Sequence, residues 1–297
     1  MFNNILGNDN IKELLTNAVK NNKASHSYMF VGTEGIGKKL IAKEFAKMIL
    51  CTDENKYCGK CKSCIEFESS NNPDFKIIEP DGNSLKIEQI REFQNKVSEK
   101  PIISKRKVYI INDSDKMTTE AQNCLLKTLE EPPEFVIIIL IGENENLFLN
   151  TIKSRCMILH FEQIEKNLLK KYLEENYNFN IKSEIMLETF QGSIGKAIEL
   201  KEKQEIYENI EEIIKNIKDK NIIDIMKISD ILYKSKDDIM NILEYINILL
   251  INLAKNSYQY AECIEIVENT KKRLKTNANY DMSIDNMLLE MKDKFSI

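Results

Sequence analysis

At 297 residues, with 42% hydrophobic and 30% charged side chains, the chain has the make-up of an ordinary soluble globular protein and is too long for a single core. Forty-seven acids against 42 Lys and Arg leave a formal charge of −5, which excludes a protein that coats nucleic acid by bulk electrostatics and leaves only local contacts, or contacts shared with partner subunits. The longest apolar run, Phe135 to Ile141, falls far short of the roughly 18 residues a membrane span needs, and Met1 to Asn10 has no basic-then-apolar leader pattern, so a cytoplasmic location is expected.

Apolar residues Ile11, Leu14, Leu15, Ala18 and Val19 lie on one helical face, followed by a polar linker from Asn21 to Ser25. The short run Tyr28 to Val31 then predicts a strand ending on Gly32. Gly37-Lys38 completes a G-x-x-x-x-G-K spacing ahead of the amphipathic stretch Leu40 to Leu50. Strand, glycine loop and helix start are the parts of a phosphate cradle. Gly32, Gly35 and Gly37 let backbone N–H groups turn toward phosphate oxygens, and Lys38 bridges the outer phosphates. The next residue should carry a hydroxyl for Mg²⁺, and it is Lys39. The expectation is a nucleotide-type loop without its metal ligand, with ATP or ADP binding left open and Mg²⁺ disfavoured. His26 and His160 are the only histidines and neither stands beside a nucleophile, so histidine-based catalysis is not expected.

Cys51, Cys58, Cys61 and Cys64 fall within fourteen residues, whereas Cys124, Cys156 and Cys263 are solitary. In a cytosolic chain the cluster reads as a metal knuckle rather than as disulfides. Two overlapping C-x-x-C steps plus one cysteine a short loop away suit a tetrahedral Zn²⁺, and Gly59, Lys60 and Lys62 suit a turn that faces four thiolates. With four protein ligands no position remains for chemistry, so the zinc is read as structural.

Pro73 to Ile78 reads as a second strand before the Glu79-Pro80-Asp81-Gly82 turn, and Ile87, Ile90, Phe93 and Val97 mark a helix. After the basic residues Lys105 to Lys107, Val108 to Ile111 predicts a buried parallel strand. At the carboxyl end of such a strand, where open α/β sheets bind ligands, an ATPase carries Asp-Glu to hold Mg²⁺ and orient water; here stand Asn112 and Asp113. A neutral amide cannot balance the metal's charge, so this fault agrees with Lys39, whose ammonium is expected near the missing metal and paired with Asp113. Thr119 to Pro133 predicts a helix stopped by two prolines, and Phe135 to Ile141 the central strand. Leu147 to Thr151 lead to Ser154-Arg155-Cys156, placed after the last strand of the sheet.

His26-Ser-Tyr-Met-Phe-Val-Gly32, the four-cysteine knuckle, Ala121-Gln-Asn-Cys-Leu-Leu-Lys-Thr-Leu-Glu-Glu-Pro-Pro133 and Thr151-Ile-Lys-Ser-Arg155-Cys156 together resemble the bacterial clamp-loader AAA+ family. The resemblance implies an α/β AAA+ P-loop domain with a parallel sheet over residues 1–160, the knuckle 51–64 inserted in it, a small helical lid over 161–203 and an all-helical collar over 204–297. It implies that Arg155 is an arginine finger, given in trans to the ATP site of a neighbouring gamma/tau subunit. Gamma/tau and delta subunits are then the partners, and the sliding clamp and primer–template DNA are met through the complex, as part of a DNA-directed DNA polymerase holoenzyme. Gln191 to Ala197 resembles the motif by which the lid reaches bound nucleotide, with Lys196 where arginine is usual; lysine keeps the charge and loses the planar fork.

The last 102 residues contain neither glycine nor proline. Within them Ile239, Ile242, Leu243, Ile246, Leu249, Leu250 and Leu253, widened by Ile248 and Ile251, predict a helix buried on several sides in a bundle. Leu274 to Leu289 resembles the family's final collar helices.

The leading reading is a non-hydrolysing subunit whose part in catalysis is a single side chain. A gamma/tau-type ATPase motor is the alternative; Lys39 and Asn112 count against it, and such a motor is expected to continue into a long C-terminal region. A zinc-knuckle adaptor that reads DNA is the third, and the acidic balance counts against it.

Overall fold

The computed structural model describes residues 2 and 5–295, apart from 256 and 277. The chain divides into two compact units: residues up to Glu165 together with Ser193–Gly195, and Lys166–Gly192 together with residues from Lys196 onward.

In the first unit, β1 (Ser27–Val31), β2 (Phe75–Ile78), β3 (Lys107–Ile111), β4 (Val136–Gly142) and β5 (Met157–His160) form one parallel sheet in the order β2-β3-β4-β1-β5. The helices are α1 (Asp9–Lys20), α2 (Lys38–Leu50), α3 (Lys62–Glu68), α4 (Ile87–Val97), α5 (Thr119–Glu130) and α6 (Asn150–Lys153). The central position expected for the Phe135–Ile141 run is the one β4 occupies. Ile137, Ile139 and Ile141 pack with Leu15 and Val19 of α1 and Ile41 and Phe45 of α2. Val136, Ile138 and Leu140 point the other way, to Ile90 and Phe93 of α4 and Leu125 and Leu129 of α5. Alternate residues of a strand face opposite sides, and helices cover both, so every position must be apolar. Each fully buried Ile or Leu contributes about 1.5–3 kcal/mol, which makes β4 the main anchor of the sheet.

The structure corrects the placing of Arg155. It does not follow the last strand; β5 comes after it, pairing in parallel with β1 so that Phe30 lies opposite Leu159. This short edge strand is partly open to solvent, with Met157 39% exposed and Leu159 only 7%. Its apolar run, Met157 to Leu159, stops at His160 and is shorter than those by which the inner strands declare themselves.

The second unit gathers most of the residues read above as lid and collar; 161–165 and 193–195 belong with the first. Its helices are α7 (Lys166–Tyr177), α8 (Glu184–Thr189), α9 (Ile194–Lys201, whose first two residues count with the first unit), α10 (Gln204–Lys215), α11 (Ile222–Lys234), α12 (Ile239–Ala254), α13 (Tyr258–Lys275) and α14 (Tyr280–Asp293). Asn221 and Asn279 cap α11 and α14 by accepting from the backbone N–H groups of Asp224 (2.8 Å) and Met282 (3.0 Å). α12 packs on α8, α10 and α13, which buries Ile242, Leu243, Ile246, Leu249 and Leu250. Ile251 is 52% exposed, so the apolar stripe is narrower than the spacing implied. Where α10 meets α12 and the start of α8, Glu211 accepts from Ser183 Oγ (2.8 Å), Lys215 Nζ (2.5 Å) and the Tyr245 hydroxyl. Burial works to raise the Glu211 carboxyl, yet these donors hold it below the usual carboxylate range. Asn277, part of the collar-like motif, lies outside the described residues. No described helix is long and apolar enough to cross a membrane.

Candidate functional site

The parallel sheet brings the carboxyl ends of β1, β3 and β4 side by side, and the loops leaving them build the first site. From β1 the chain turns at Gly32, where an added Cβ would meet Ile36 Cδ1 at 2.8 Å and the Phe161 carbonyl oxygen at 2.9 Å. Gly35 has φ +74°, and a Cβ there would collide with Ser193 Oγ and lie 3.3 Å from Gly195 Cα. Gly195 N donates to Gly35 O at 3.2 Å, so the turn at 193–195 is seated on the tip of the loop. Gly37 (φ 97°, ψ 8°) opens α2. Lys38 is 7% exposed, and its Nζ donates to the loop's own carbonyls, Gly32 O at 2.5 Å and Thr33 O at 2.8 Å. Burial lowers its ammonium below the ordinary value, against the pull of Glu143, Asp115, Glu34 and Asp113. The predicted cradle residues Gly32, Gly35, Gly37 and Lys38 are thus together, whereas Lys196 lies in α9 within the second unit.

The expected pair between Lys39 and Asp113 is not formed. Lys39 Nζ pairs with Glu79, just after β2. Asp113, in a left-handed conformation (φ 46°, ψ 43°), starts a short 3-10 turn, Ser114–Lys116, which delivers Lys116 Nζ to its Oδ2 at 2.9 Å. The reason is local: a partner three residues on in a tight turn is preorganised, while Lys39 meets the nearer acid at the end of β2. The same turn is tied to β4 by Ser114 Oγ, which donates to Ile141 O at 2.8 Å, and by Asp115 Oδ2, which accepts from Glu143 N (2.8 Å) and Asn144 N (3.2 Å).

Arg155 stands between α6 and β5, one third exposed. Its Nη2 lies 2.8 Å from Glu130 Oε1 at the end of α5, and Nη1 donates to Thr151 O at 2.8 Å. The segment that carries it is fastened to α5 by Gln122, 4% exposed. The Gln122 amide donates to Leu147 O at 3.0 Å and accepts from Leu149 N at 2.9 Å. Neither Gln122 nor Glu130 was singled out from sequence. Both sit in the Ala121–Pro133 motif, but the contacts they make are 25 or more residues away and leave no mark in spacing.

The cysteine ligand atoms of residues 51, 58, 61 and 64 all lie within 4.8 Å of one another, a set that could hold a metal ion. Cys51 ends α2, Cys58 and Cys61 lie on the loop, and Cys64 is in α3. Cys51 Sγ is 3.7 Å from Cys58 Sγ and 4.0 Å from Cys61 Sγ, and Cys58 Sγ accepts from the N–H groups of Lys60 (3.4 Å) and Cys61 (3.2 Å). Although burial works the other way, hydrogen bonds from Thr52 and Cys64 bring the Cys61 thiol down to about 6; burial and its sulfur neighbours push Cys64 up. All four are free thiols. His26 has Nδ1 3.2 Å from Val136 O.

The family described as DNA polymerase III, delta subunit, matches residues 7–165. Over 207 residues the chain is 34% identical to the DNA polymerase III subunit delta' of Bacillus subtilis, covering 69% of this chain and 62% of that protein. Over 208 residues it is 35% identical to the tau/gamma subunit of Haemophilus influenzae, covering 67% of this chain and 30% of that one. The chain thus spans less than two thirds of the length of these relatives. A solved gamma subunit-related protein of Thermotoga maritima, 16% identical, superposes with a TM-score of 0.52 over 97% of this chain and 99% of that one, a likeness of fold. The family match runs from before α1 to beyond β5 and takes in the glycine loop, the cysteine cluster and Arg155, so the chain belongs to the DNA polymerase III delta subunit family.

Proposed function

We propose that the chain is a delta-prime-type subunit of the DNA polymerase III clamp loader that helps load the sliding clamp without hydrolysing ATP itself. The observation that carries this reading is the state of the two metal-ligand positions. Lys39 replaces the hydroxyl and is engaged with Glu79, while Asn112 replaces the first acid and Asp113 is engaged with Lys116. Two positions lacking metal ligation do not make a working hydrolase. Gly32, Gly35, Gly37 and Lys38 are then a degenerate nucleotide site. The identity to the Bacillus delta' subunit supports the same reading.

In this reading Arg155 stabilises charge on a nucleotide held by a neighbouring gamma/tau subunit, and delta is the other partner. Its exposure leaves the guanidinium within reach of such a neighbour, and Gln122 keeps its segment in place. The clamp and primer–template DNA are met through the assembly. The four cysteines hold a structural Zn²⁺: a tetrahedron with Zn–S bonds of about 2.3 Å spaces its sulfurs by about 3.8 Å, which the separations of 3.7 and 4.0 Å match. The ion supplies a cross-link between the end of α2 and the start of α3, and no chemistry.

The alternative, a gamma/tau-type motor, is favoured by the identity to the Haemophilus tau/gamma subunit and by the intact cradle around Lys38. ATPase measurement on the isolated chain decides. The proposal requires essentially no turnover with Mg²⁺ and ATP, and hydrolysis at a motor's pace would overturn it.

A further inference from the structure

We propose a second anion site in the first unit, built from Lys56, Lys105 and Arg106, that takes one phosphate-sized oxyanion. A cavity of about 70 Å³ is lined by these cations together with Asn22, Ala24 and Ile49. Ala24 precedes β1 and Arg106 precedes β3, so the cavity lies at the amino end of the strands, the opposite end of the sheet from the glycine loop. A single water needs roughly 10–15 Å³ of such space, and sites for drug-sized ligands begin near about 300 Å³. A tetrahedral oxyanion fits between those limits; a nucleoside does not.

Three observations on the cations carry the proposal. First, none of the three takes part in an ion pair among the described residues, although acids outnumber bases in the chain and other lysines of the same unit, such as Lys39, Lys47, Lys76 and Lys107, are paired. Second, Arg106 Nη1 is closed off from solvent and has no acceptor. A guanidinium cannot shed its proton, so no change of protonation relieves its unpaired charge, and an anion seated on its other N–H groups would. Third, the segment leading to these residues is fixed. The carboxylate of Asp74, 2% exposed, accepts from the backbone N–H groups of Ile102 (2.7 Å), Ile103 (2.8 Å) and Ser104 (2.7 Å), and Ser104 Oγ donates to Leu50 O at 2.8 Å.

The cations are not needed as helix caps. α1 and α2 both end beside the cavity, each with about half a negative charge, which against three full positive charges leaves about two in excess. Five of the carbonyls at those ends already have donors: Asn17, Ala18 and Val19 are bonded by Asn21, Lys23 and Asn22, Lys47 by Cys51, and Leu50 by Ser104.

The test uses the full chain with inorganic phosphate at constant ionic strength, read by calorimetry and by melting temperature. Lys38→Ala removes the glycine loop as a competing phosphate site, and in that background phosphate should bind once and raise the melting temperature. Adding Lys56→Gln and Lys105→Gln, both away from the core, should weaken binding at least tenfold, and Arg106→Gln should do the same. No binding by the Lys38→Ala chain, or equal binding after the further substitutions, overturns the proposal. A second arm with a short single-stranded oligonucleotide separates the sources of the phosphate. If the same substitutions weaken oligonucleotide binding and flatten the slope of log affinity against log salt by about 0.7 for each phosphate no longer neutralised, the ligand is a backbone phosphate. If the oligonucleotide is indifferent to them while binding of inorganic phosphate is abolished, the ligand is the free ion.

Discussion

Arg155 is proposed to act on another subunit's nucleotide, yet in this chain its guanidinium rests on Glu130, and magnitudes decide whether that contact matters. The partners are 33% and 49% exposed at 2.8 Å, so they form a surface ion pair worth about 0–1 kcal/mol. An arginine finger supplied in trans is worth on the order of 10³–10⁵ in rate, or about 4–7 kcal/mol of barrier at about 1.4 kcal/mol per tenfold. Leaving Glu130 therefore costs the finger a small fraction of what it gains. In a reconstituted loader whose remaining ATP sites are disabled, Glu130→Gln should change DNA- and clamp-stimulated turnover at the neighbouring site by less than about fivefold. Arg155→Ala should lower the same turnover by about 10³ or more. Arg155→Lys should recover little, because a point charge lacks the planar fork. Wild-type turnover by Arg155→Ala would remove the finger from the account. A Glu130→Gln loss as large as that of Arg155→Ala would show that the pair is part of the machinery and not a resting contact.

Three other outcomes follow from the structure. Metal analysis of the purified chain should find about one zinc per chain, and Cys58→Ser or a strong chelator should release it and loosen the knuckle; a metal-free chain with disulfides among these cysteines would refute the site. Asp74→Ala strips three backbone donors of their acceptor, and at about 1–3 kcal/mol for each one that stays buried, with the exposed Ile102 able to find water, the loss should be about 3–5 kcal/mol in urea unfolding of the first unit. Asp74→Asn should lose about half of that, and a variant as stable as wild type would dismiss the contact. For Glu211 the folded carboxyl is depressed, so its contribution is present above the unfolded value of about 4.3 and fades as pH falls through the lower folded value. Glu211→Gln should therefore flatten the acid-side loss of stability of the helical unit below about pH 4, and an unchanged slope would count against the assignment.

What was legible in the sequence was whatever depends on near neighbours. The glycine loop, the cysteine spacing and the buried strands are written in runs of a few residues, and the structure places Gly32 to Lys38 and the four thiols as those runs imply. The apolar continuity of Val136–Ile141 announced a strand covered on both faces. Most of the failures share one cause, which is distance along the chain. Lys39 was assigned to Asp113 because both belong to the expected metal site, but Glu79, forty residues on, holds it instead. β5 is a separate case: its apolar run, Met157 to Leu159, is only three residues long before His160 and reads as loop. Gln122 and Arg106 look like any glutamine and arginine until the fold brings Leu147 and Leu149 to one and closes solvent off from the other.

The knot at Asp74 has a practical reach. Ile102 is 75% exposed in a bend that runs into three consecutive basic residues, a stretch that on composition alone invites trypsin. Proteases, however, must draw slack backbone into an extended form, and here three successive amides are moored to one sunken carboxylate. The bend can be seen from outside without being yielding, and a map of nicking sites would register that difference as silence where cleavage was due.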